Sequence, residues 1–453
     1  MPMRKPKKGM SPLQILPIGF ICIILVGALL LMLPIASVDH RPLPLSSALF
    51  TATSATCVTG LVVVDTGTHF TLFGQIVILL LIQMGGLGFM TVSTILFSFT
   101  RRKISMRDRM TIAESLGENH LQGVVRLGRI AVLVTAVCEG VGAVLLSIRF
   151  IPIYGPLRGI WYGIFHSISA FCNAGFDLIG DFASFTSYTG DVLVNLTLMA
   201  LIISGGLGFS VILNMYKAKR FKYFRMHTKI VVTWTLGLIF AGALLTICME
   251  YDNPQTLGEL PFFEKLLAGT FQSVTLRTAG FNTIDQLAQR DATKALDIVL
   301  MLFGGAPAGT AGGLKITTFV TLLMTVHAYV RGRKDTVIFG RTVASDQVRR
   351  ALTVLLIGVM FQLGCTMAVS IIEHGHAAGG YGILNQLFET TSALCTVGLS
   401  VGVTAMMSPV SRVILCIMMY VGRVGLLTLA LSLTESMKTD ALVHYPQEDI
   451  MIG

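Results

Sequence analysis

Charge is what this sequence has least of. Charged residues make up 13% of its 453 positions and hydrophobic ones 53%, with a mean hydropathy of +0.74, whereas a soluble domain carries about 25% charged residues. A solvated enzyme or binding domain is thereby excluded, and the chain reads as an integral membrane protein. Cysteine is present but unorganised. Cys22, Cys57, Cys138, Cys172, Cys248, Cys365, Cys395 and Cys416 include no CxxC spacing and fall mostly inside apolar runs, so neither a disulfide scaffold nor a zinc site is signalled. Acidic residues within those runs are scarce apart from Glu139 and, at a flank, Asp297; a coupled symporter needs more carboxylates than that along its path. The histidines form no catalytic set, since His166 stands alone and His374 and His376 share an outer loop without partners. An enzyme is therefore not expected.

Apolar runs of bilayer length, about 20 residues each, are abundant. Eight spans are expected, near 13–33, 71–99, 128–150, 190–216, 227–249, 294–329, 350–372 and 409–433. The first follows Arg4, Lys5, Lys7 and Lys8, and its apolar core exceeds the roughly 7–15 residues of a secretory signal, so it reads as a retained helix. The net charge of +10 sits in basic clusters at 4–8, 101–129, 217–229 and 331–350, with Lys438. These alternate with poorly basic loops. By the positive-inside rule both termini and three loops are cytoplasmic, and the basic charge sets topology rather than marking a nucleic-acid site.

Self-similarity organises the rest. "ALFTATSATCVTGL" (48–61) is echoed by "GIFHSISAFCNAGF" (163–176), "GTFQSVTLRTAGF" (269–281) and "QLFETTSALCTVGL" (386–399), each too short to cross a bilayer. Downstream of each comes a second echo: "GGLGFMT" (85–91), "GGLGFSV" (205–211), "GGLKITT" (312–318) and "GRVGLLT" (422–428). The expected fold is an all-α membrane protein of four parallel repeats, each a helix, a re-entrant pore loop and a helix, around one pseudo-fourfold pore. The repeats are 1–100 (pore loop 46–66), 101–217 (pore loop 161–181), 218–330 (pore loop 262–284) and 331–453 (pore loop 382–402). Non-helical backbone survives at membrane depth only where it is buried in protein or lines water. Four such segments can point carbonyl oxygens at one axis and replace an ion's hydration shell. The candidate filter is Cys57, Val58, Thr59 and Gly60; Cys172, Asn173, Ala174 and Gly175; Arg277, Thr278, Ala279 and Gly280; and Cys395, Thr396, Val397 and Gly398. The four glycines supply positive φ and close approach, and the carbonyls are the expected ligands for a dehydrated cation.

The third repeat departs from the pattern. Its last span reads "LDIVLMLFGGAPAGTAGGLKITTFV", in which Gly304, Gly305, Ala306, Pro307, Ala308, Gly309, Thr310, Ala311, Gly312 and Gly313 interrupt an apolar helix. An intramembrane loop is expected over 304–313, because Pro307 lacks an amide hydrogen and glycine is a poor helix former. Arg423 stands where the echoes have Gly86, Gly206 and Gly313. A mid-span arginine faces a cavity or a partner, and below a cation filter it would raise a barrier to flux. Lys315 is either a second pore-side charge or a snorkelling lysine. Arg277 takes the place of Cys57, Cys172 and Cys395; the thiols are expected to pack as small apolar groups, and Arg277 to pair with a carboxylate, Glu389 being one choice.

With one filter glycine per repeat and the motifs "TATSATCVTGL", "AFCNAGF", "TLRTAGFNT" and "GGAPAGTAGGLK", the chain resembles the Trk/Ktr/HKT superfamily of potassium transporters over essentially its whole length, and in its eight-span form the KtrB-type membrane subunits. The resemblance implies channel-like potassium uptake across the bacterial plasma membrane, with loop 304–313, Lys315 and Arg423 as the gate under the filter. It implies no tightly bound cofactor, potassium as substrate and sodium as activator. Partners would be a second copy of the chain, in a homodimer with one pore per subunit, and a cytosolic KtrA-like ring of RCK type that binds ATP or ADP; no nucleic acid is implied. The tail "HYPQEDIMIG" would serve as a dimer contact. Glycine at all four filter positions points to potassium, since serine at one of them marks sodium-conducting relatives. The alternative is a coupled cation symporter, moving a proton or sodium with potassium.

Overall fold

The computed structural model describes residues 12–88, 124–307, 309–376, 378, 380, 382–425 and 429. The basic clusters at 4–8 and over most of 101–129, Lys438, both termini and Ala308 of the expected loop lie outside them.

Helices run in chain order: α1 (Pro12–Leu31), α2 (Leu45–Thr56), the one-turn α3 (Thr66–His69) and α4 (Leu72–Leu87), then α5 (Val124–Tyr154), α6 (Pro156–Phe171), α7 (Val192–Gly206) and α8 (Phe209–Ala218). The second half gives α9 (Met226–Glu250), α10 (Phe262–Thr275), α11 (Asp291–Leu302), α12 (Ile316–Val330), α13 (Ser345–Ile372), α14 (Gly382–Leu394) and α15 (Pro409–Val424). Each repeat thus holds a long first helix (α1, α5, α9, α13), a short pore helix (α2, α6, α10, α14) and a second helix (α4, α7, α11, α15). The first helices are the four that are long and apolar enough to cross a membrane, among the described residues.

The second helices correct the reading of continuous spans over 71–99, 190–216 and 409–433, while the span 294–329 is interrupted as its inserted loop led one to expect. All of them stop midway. α4 is capped by Gly88 at φ 80 and α15 by Gly425 at φ 95, while the chain turns by 97° between α7 and α8, where Gly208 has φ 85. The third is opened by residues 303–315 between α11 and α12. The cause is the "GGLG" echo itself. Its first glycine lets the second helix lie against the end of a pore helix: a Cβ on Gly85 would sit 1.9 Å from the Thr56 carbonyl, on Gly205 1.9 Å from Phe171 O and on Gly422 1.8 Å from Leu394 O. Its last glycine takes a backbone that L side chains rarely adopt.

Packing closes the repeats into a ring. The second helix of each repeat packs on the pore helix of the next: α4 on α6, α7 on α10, α11 on α14, and α15 back on α2. Within each repeat the C-terminal end of the first helix, or the residues just after it, is fastened to the start of the second. The Thr71 hydroxyl donates to the Ile35 carbonyl (2.6 Å), Arg149 pairs with Asp191, Glu250 accepts from the Arg290 amide (2.9 Å) and the Thr293 hydroxyl (2.5 Å), and Glu373 accepts from the Ser408 amide (2.9 Å) and hydroxyl (2.6 Å).

Burial opposes ionisation of Glu373, but donation from Ser408 and Ser411 outweighs it and holds the carboxyl below its usual range. A depressed carboxyl contributes stability above its unfolded pKa of about 4.3, and that contribution is lost as pH falls through the folded value. Glu373→Gln should therefore cost about 1–2 kcal/mol at neutral pH, and the deficit should shrink under acid conditions. Melting curves of both proteins in detergent at pH 7 and at about pH 4 check this; an undiminished deficit in acid contradicts it.

Candidate functional site

Four copies of one backbone turn meet at the axis. In each, a pore helix ends and the residue two before the glycine is left-handed: Val58 (φ 53), Asn173 (φ 58), Thr278 (φ 67) and Thr396 (φ 50). The glycines follow at φ 97 (Gly60), 70 (Gly175), 86 (Gly280) and 91 (Gly398). A β-carbon on Gly60 would lie 2.6 Å from the Ala174 carbonyl, on Gly175 2.8 Å from Ala279 O, on Gly280 2.7 Å from Val397 O and on Gly398 1.9 Å from Thr59 O. Each glycine therefore abuts the carbonyl that precedes the next repeat's glycine, and the fourth closes on the first. The intervening Thr59, Ala174, Ala279 and Val397 are fully buried. The pore helices end at this ring, so the partial negative charge of four helix C-termini lies beside it.

Cys57, Cys172 and Cys395 cap or follow the pore helices, are fully buried and form no metal cluster with other described residues. Cys172 donates toward Gln83 Oε1 (3.4 Å), and its Sγ lies 3.7 Å from Oε1 of Glu139. The Glu139 carboxylate accepts from Gln83 (3.1 Å). Arg277 does not pair with Glu389, which corrects that choice. Its guanidinium reaches back to the Thr235 hydroxyl (3.2 Å), while its carbonyl lies 3.4 Å from Asn173 Nδ2 of the second repeat. Glu389 is committed elsewhere, to the Ser400 and Thr404 hydroxyls (2.6 Å each) and the Val401 amide (2.9 Å).

Those bonds expose two columns that the sequence reading passed over. One and four residues after the shared, fully buried Phe50, Phe165, Phe271 and Phe388 stand Thr51, His166, Gln272 and Glu389, then Ser54, Ser169, Thr275 and Ser392. The second column ties the pore helix to the glycine turn. Gly60 N donates to Ser54 Oγ (3.1 Å) and Gly398 N to Ser392 Oγ (3.0 Å), while the Ser169 and Thr275 hydroxyls donate to Phe176 O (2.7 Å) and Phe281 O (2.5 Å). The first column, Thr51 excepted, holds the chain that follows the glycine: His166 Nε2 accepts from the Leu178 amide (3.0 Å), Gln272 donates to Gln286 (2.7 Å), and Glu389 makes the bonds above. The signal was present as aligned hydroxyls in the four echoes. It was masked because the third repeat has one residue fewer between the shared phenylalanine and the glycine: Ala279 N reaches four residues back to Thr275 O, whereas Thr59, Ala174 and Val397 reach five back, to Ser54, Ser169 and Ser392.

Under the ring lies residues 303–315. The segment folds on itself through Gly304 N to Leu314 O (2.9 Å) and Ile316 N to Gly305 O (3.2 Å). It then joins two other repeats. Ala306 N and Thr310 N donate to Gly206 O (2.9 Å) and Gly205 O (3.1 Å), Gly313 N donates to Gly422 O (3.2 Å), and Thr310 Oγ1 sits 3.0 Å from Phe171 O. Gly309 stands against Gly205 O, and Gly312 against Thr396 Oγ1, where a Cβ would be 2.0 Å away. Ala311 is buried against Gly305, and Pro307 sits at the loop's turn, half-buried. Lys315 does not snorkel: its ammonium donates to Ala311 O (2.7 Å) and Gly312 O (3.2 Å) and closes the loop from within. Arg423 spans the remaining gap, its guanidinium donating to Thr310 O of the loop and to Gly85 O and Gly86 O of the first repeat. Loop and arginine together bridge all four repeats directly below the carbonyls.

A family model described as TrkH, cation transport protein, matches residues 5–445. The Ktr system potassium uptake protein B of Bacillus subtilis is 42% identical over 443 residues, covering 98% of this chain and 97% of its own. The potassium/sodium uptake protein NtpJ of Enterococcus hirae is 38% identical over 99% of both chains. The crystal structure of the potassium transporter TrkH from Vibrio parahaemolyticus shares the fold, with a TM-score of 0.74 at 16% identity over 96% of this chain and 87% of that one.

Proposed function

The chain belongs to the TrkH family of cation transport proteins, and from that premise we propose that it takes up potassium through one channel-like pore per chain. The observation that carries this reading is the closed ring in which each filter glycine abuts the preceding carbonyl of the next repeat. Backbone carbonyls in a ring exchange for an ion's hydration shell without chemistry, and the surrounding helix C-termini favour a cation over an anion. The ions enter by the outer segments that His166, Gln272 and Glu389 brace, and leave when residues 303–315 and Arg423 part.

Sodium as activator, a homodimer, a plasma-membrane location with cytoplasmic termini and a nucleotide-binding cytosolic ring complete the proposal. A docking face for that ring is supported by the contact of two basic stretches. Phe221, beside Lys219, Arg220 and Lys222, meets Phe339 at 6.4 Å between ring centroids, and Lys229 lies 5.7 Å from the Phe221 centroid. A coupled symporter gains little support, because the two carboxylates within the spans are each held by a glutamine amide, Glu139 by Gln83 and Asp297 by Gln272, and form no series along a path.

Proteoliposomes loaded with potassium and given external rubidium-86 test the function. Rubidium is expected to accumulate by exchange, and external sodium in place of rubidium is expected not to. No rubidium uptake, or sodium conducted as well as potassium, overturns the proposal.

A further inference from the structure

A polar cavity lies away from the glycine ring, where the second and third repeats meet at the membrane face from which the pore helices enter. Its volume is about 540 Å³, and it is lined by Arg149 and Ile153 of α5, Ser187, Tyr188 and Asp191 ahead of α7, and Glu264 in the first turn of α10. Its depth follows from α5. The 31 residues of that helix span about 46 Å, against roughly 40–45 Å for a bilayer with its headgroups. Arg149 stands about one and a half turns before the Tyr154 end, which puts the cavity at headgroup level. The Tyr154 and Tyr188 hydroxyls meet there at 2.9 Å, as aromatic residues of the interface do. Ile153 in the cavity wall, Leu193 and Leu196 following Asp191, and Phe262 and Phe263 preceding Glu264 are all exposed apolar side chains, suited to acyl chains.

Both signs of charge line this cavity, and part of each is uncommitted. Arg149 is half-exposed and pairs with Asp191 through Nε; among the described residues its two Nη atoms have no partner. Asp191 is further occupied by the Val194 amide (3.1 Å). The Glu264 side chain lies against Gly190, where a Cβ would be 2.9 Å from its carboxyl carbon. Among the described residues no donor or cation meets that carboxylate. Free guanidinium donors at headgroup level match a phosphodiester, and a carboxylate beside them matches an ammonium. We infer that the cavity binds the headgroup of a zwitterionic phospholipid with a primary amine, phosphatidylethanolamine, its phosphate on Arg149 and its ammonium on Glu264. A glycerol headgroup would satisfy Arg149 but bring no positive charge to Glu264. A choline headgroup brings the charge without an N–H to donate. Arg149 and Asp191 belong to the second repeat and Glu264 to the third pore helix, so one lipid clasps that pore helix to its neighbour.

The test is the melting temperature of the full-length protein in detergent micelles carrying dioleoyl phosphatidylethanolamine, phosphatidylcholine or phosphatidylglycerol at equal mole fraction. A ligand that binds the folded state raises Tm. Phosphatidylethanolamine is expected to raise it most. Glu264→Gln should increase the mole fraction of phosphatidylethanolamine needed for half the shift about tenfold, leaving the response to phosphatidylcholine as it was. Glu259→Gln, which removes an exposed carboxylate outside the cavity, should keep the wild-type preference. Arg149→Gln should weaken the response to all three lipids, and carries the test if Glu264→Gln does not fold. Dissolved phosphoethanolamine, which has the headgroup without acyl chains, should leave Tm unchanged at millimolar concentration. Equal shifts from the ethanolamine and choline lipids, a wild-type preference in Glu264→Gln, or lipid responses unaltered in Arg149→Gln each overturn the inference. So do a larger shift from phosphatidylglycerol, which assigns the cavity to an anionic lipid, and a full shift from phosphoethanolamine, which assigns it to a soluble ligand. An absence of any lipid response overturns it as well.

Discussion

Gly398→Ala is expected to abolish potassium-selective exchange, lowering rubidium-86 uptake by about 100-fold and letting sodium compete in what remains. Two separate penalties fall on this position. At φ 91 its backbone lies where an L residue is strained, by about 1–2 kcal/mol. Its Cβ would also lie 1.9 Å from the Thr59 carbonyl, a distance no rotamer relieves because both partners are backbone. Thr59 O must then turn or retreat, and it is one of the carbonyls proposed to hold the ion. Gly402 separates the two penalties. It has φ 83 and nothing within 4 Å of its Cβ, so Gly402→Ala carries the strain alone and should leave selectivity intact. Gly175→Ala, with its nearest carbonyl at 2.8 Å, should fall between the two. Uptake of rubidium-86 and sodium-22 at equal reconstituted protein measures all three. Selective exchange preserved in Gly398→Ala would mean that the ring is not the filter.

What was legible in the sequence was whatever the chain repeats. Gly60, Gly175, Gly280 and Gly398 occur once per unit at matched places, so their recurrence carries information that each alone lacks. The four first spans were legible too, because a long apolar helix is recognised by composition. The second spans were not: "GGLG" is as apolar as what surrounds it, so hydropathy reads length and misses the break at Gly88, Gly208 and Gly425. Only the third break announced itself, through Pro307 and a longer insert. Pairings were the least legible. Glu389 is an obvious partner for Arg277 when buried charges are matched on paper, yet four donors in residues 400–404 already satisfy it. Thr235, which Arg277 does meet, is one of many threonines facing inward from a span.

Arg423→Ala is expected to raise rubidium exchange about tenfold without altering selectivity. The guanidinium donates to Thr310 O, Gly85 O and Gly86 O, and a hydrogen bond from a charged group contributes about 1.5–3 kcal/mol. Loss of even about 1.4 kcal/mol from the closed arrangement raises the open population tenfold. Selectivity is unaffected because none of these three acceptors belongs to the ring of residues 59–60, 174–175, 279–280 and 397–398. Two physical accounts of the arginine remain separable: a charge that repels cations below the filter, or a fork that pins the loop to the first repeat. Lysine keeps the charge but, as a compact point donor, cannot span carbonyls on two elements as a planar fork does. If pinning governs, Arg423→Lys conducts nearly as fast as Arg423→Ala; if repulsion governs, it stays as slow as the wild type. The geometry favours pinning, since the guanidinium is committed to carbonyls of the fourth repeat's neighbours on both sides. Exchange equal to wild type in both variants at matched expression would remove Arg423 from the gate.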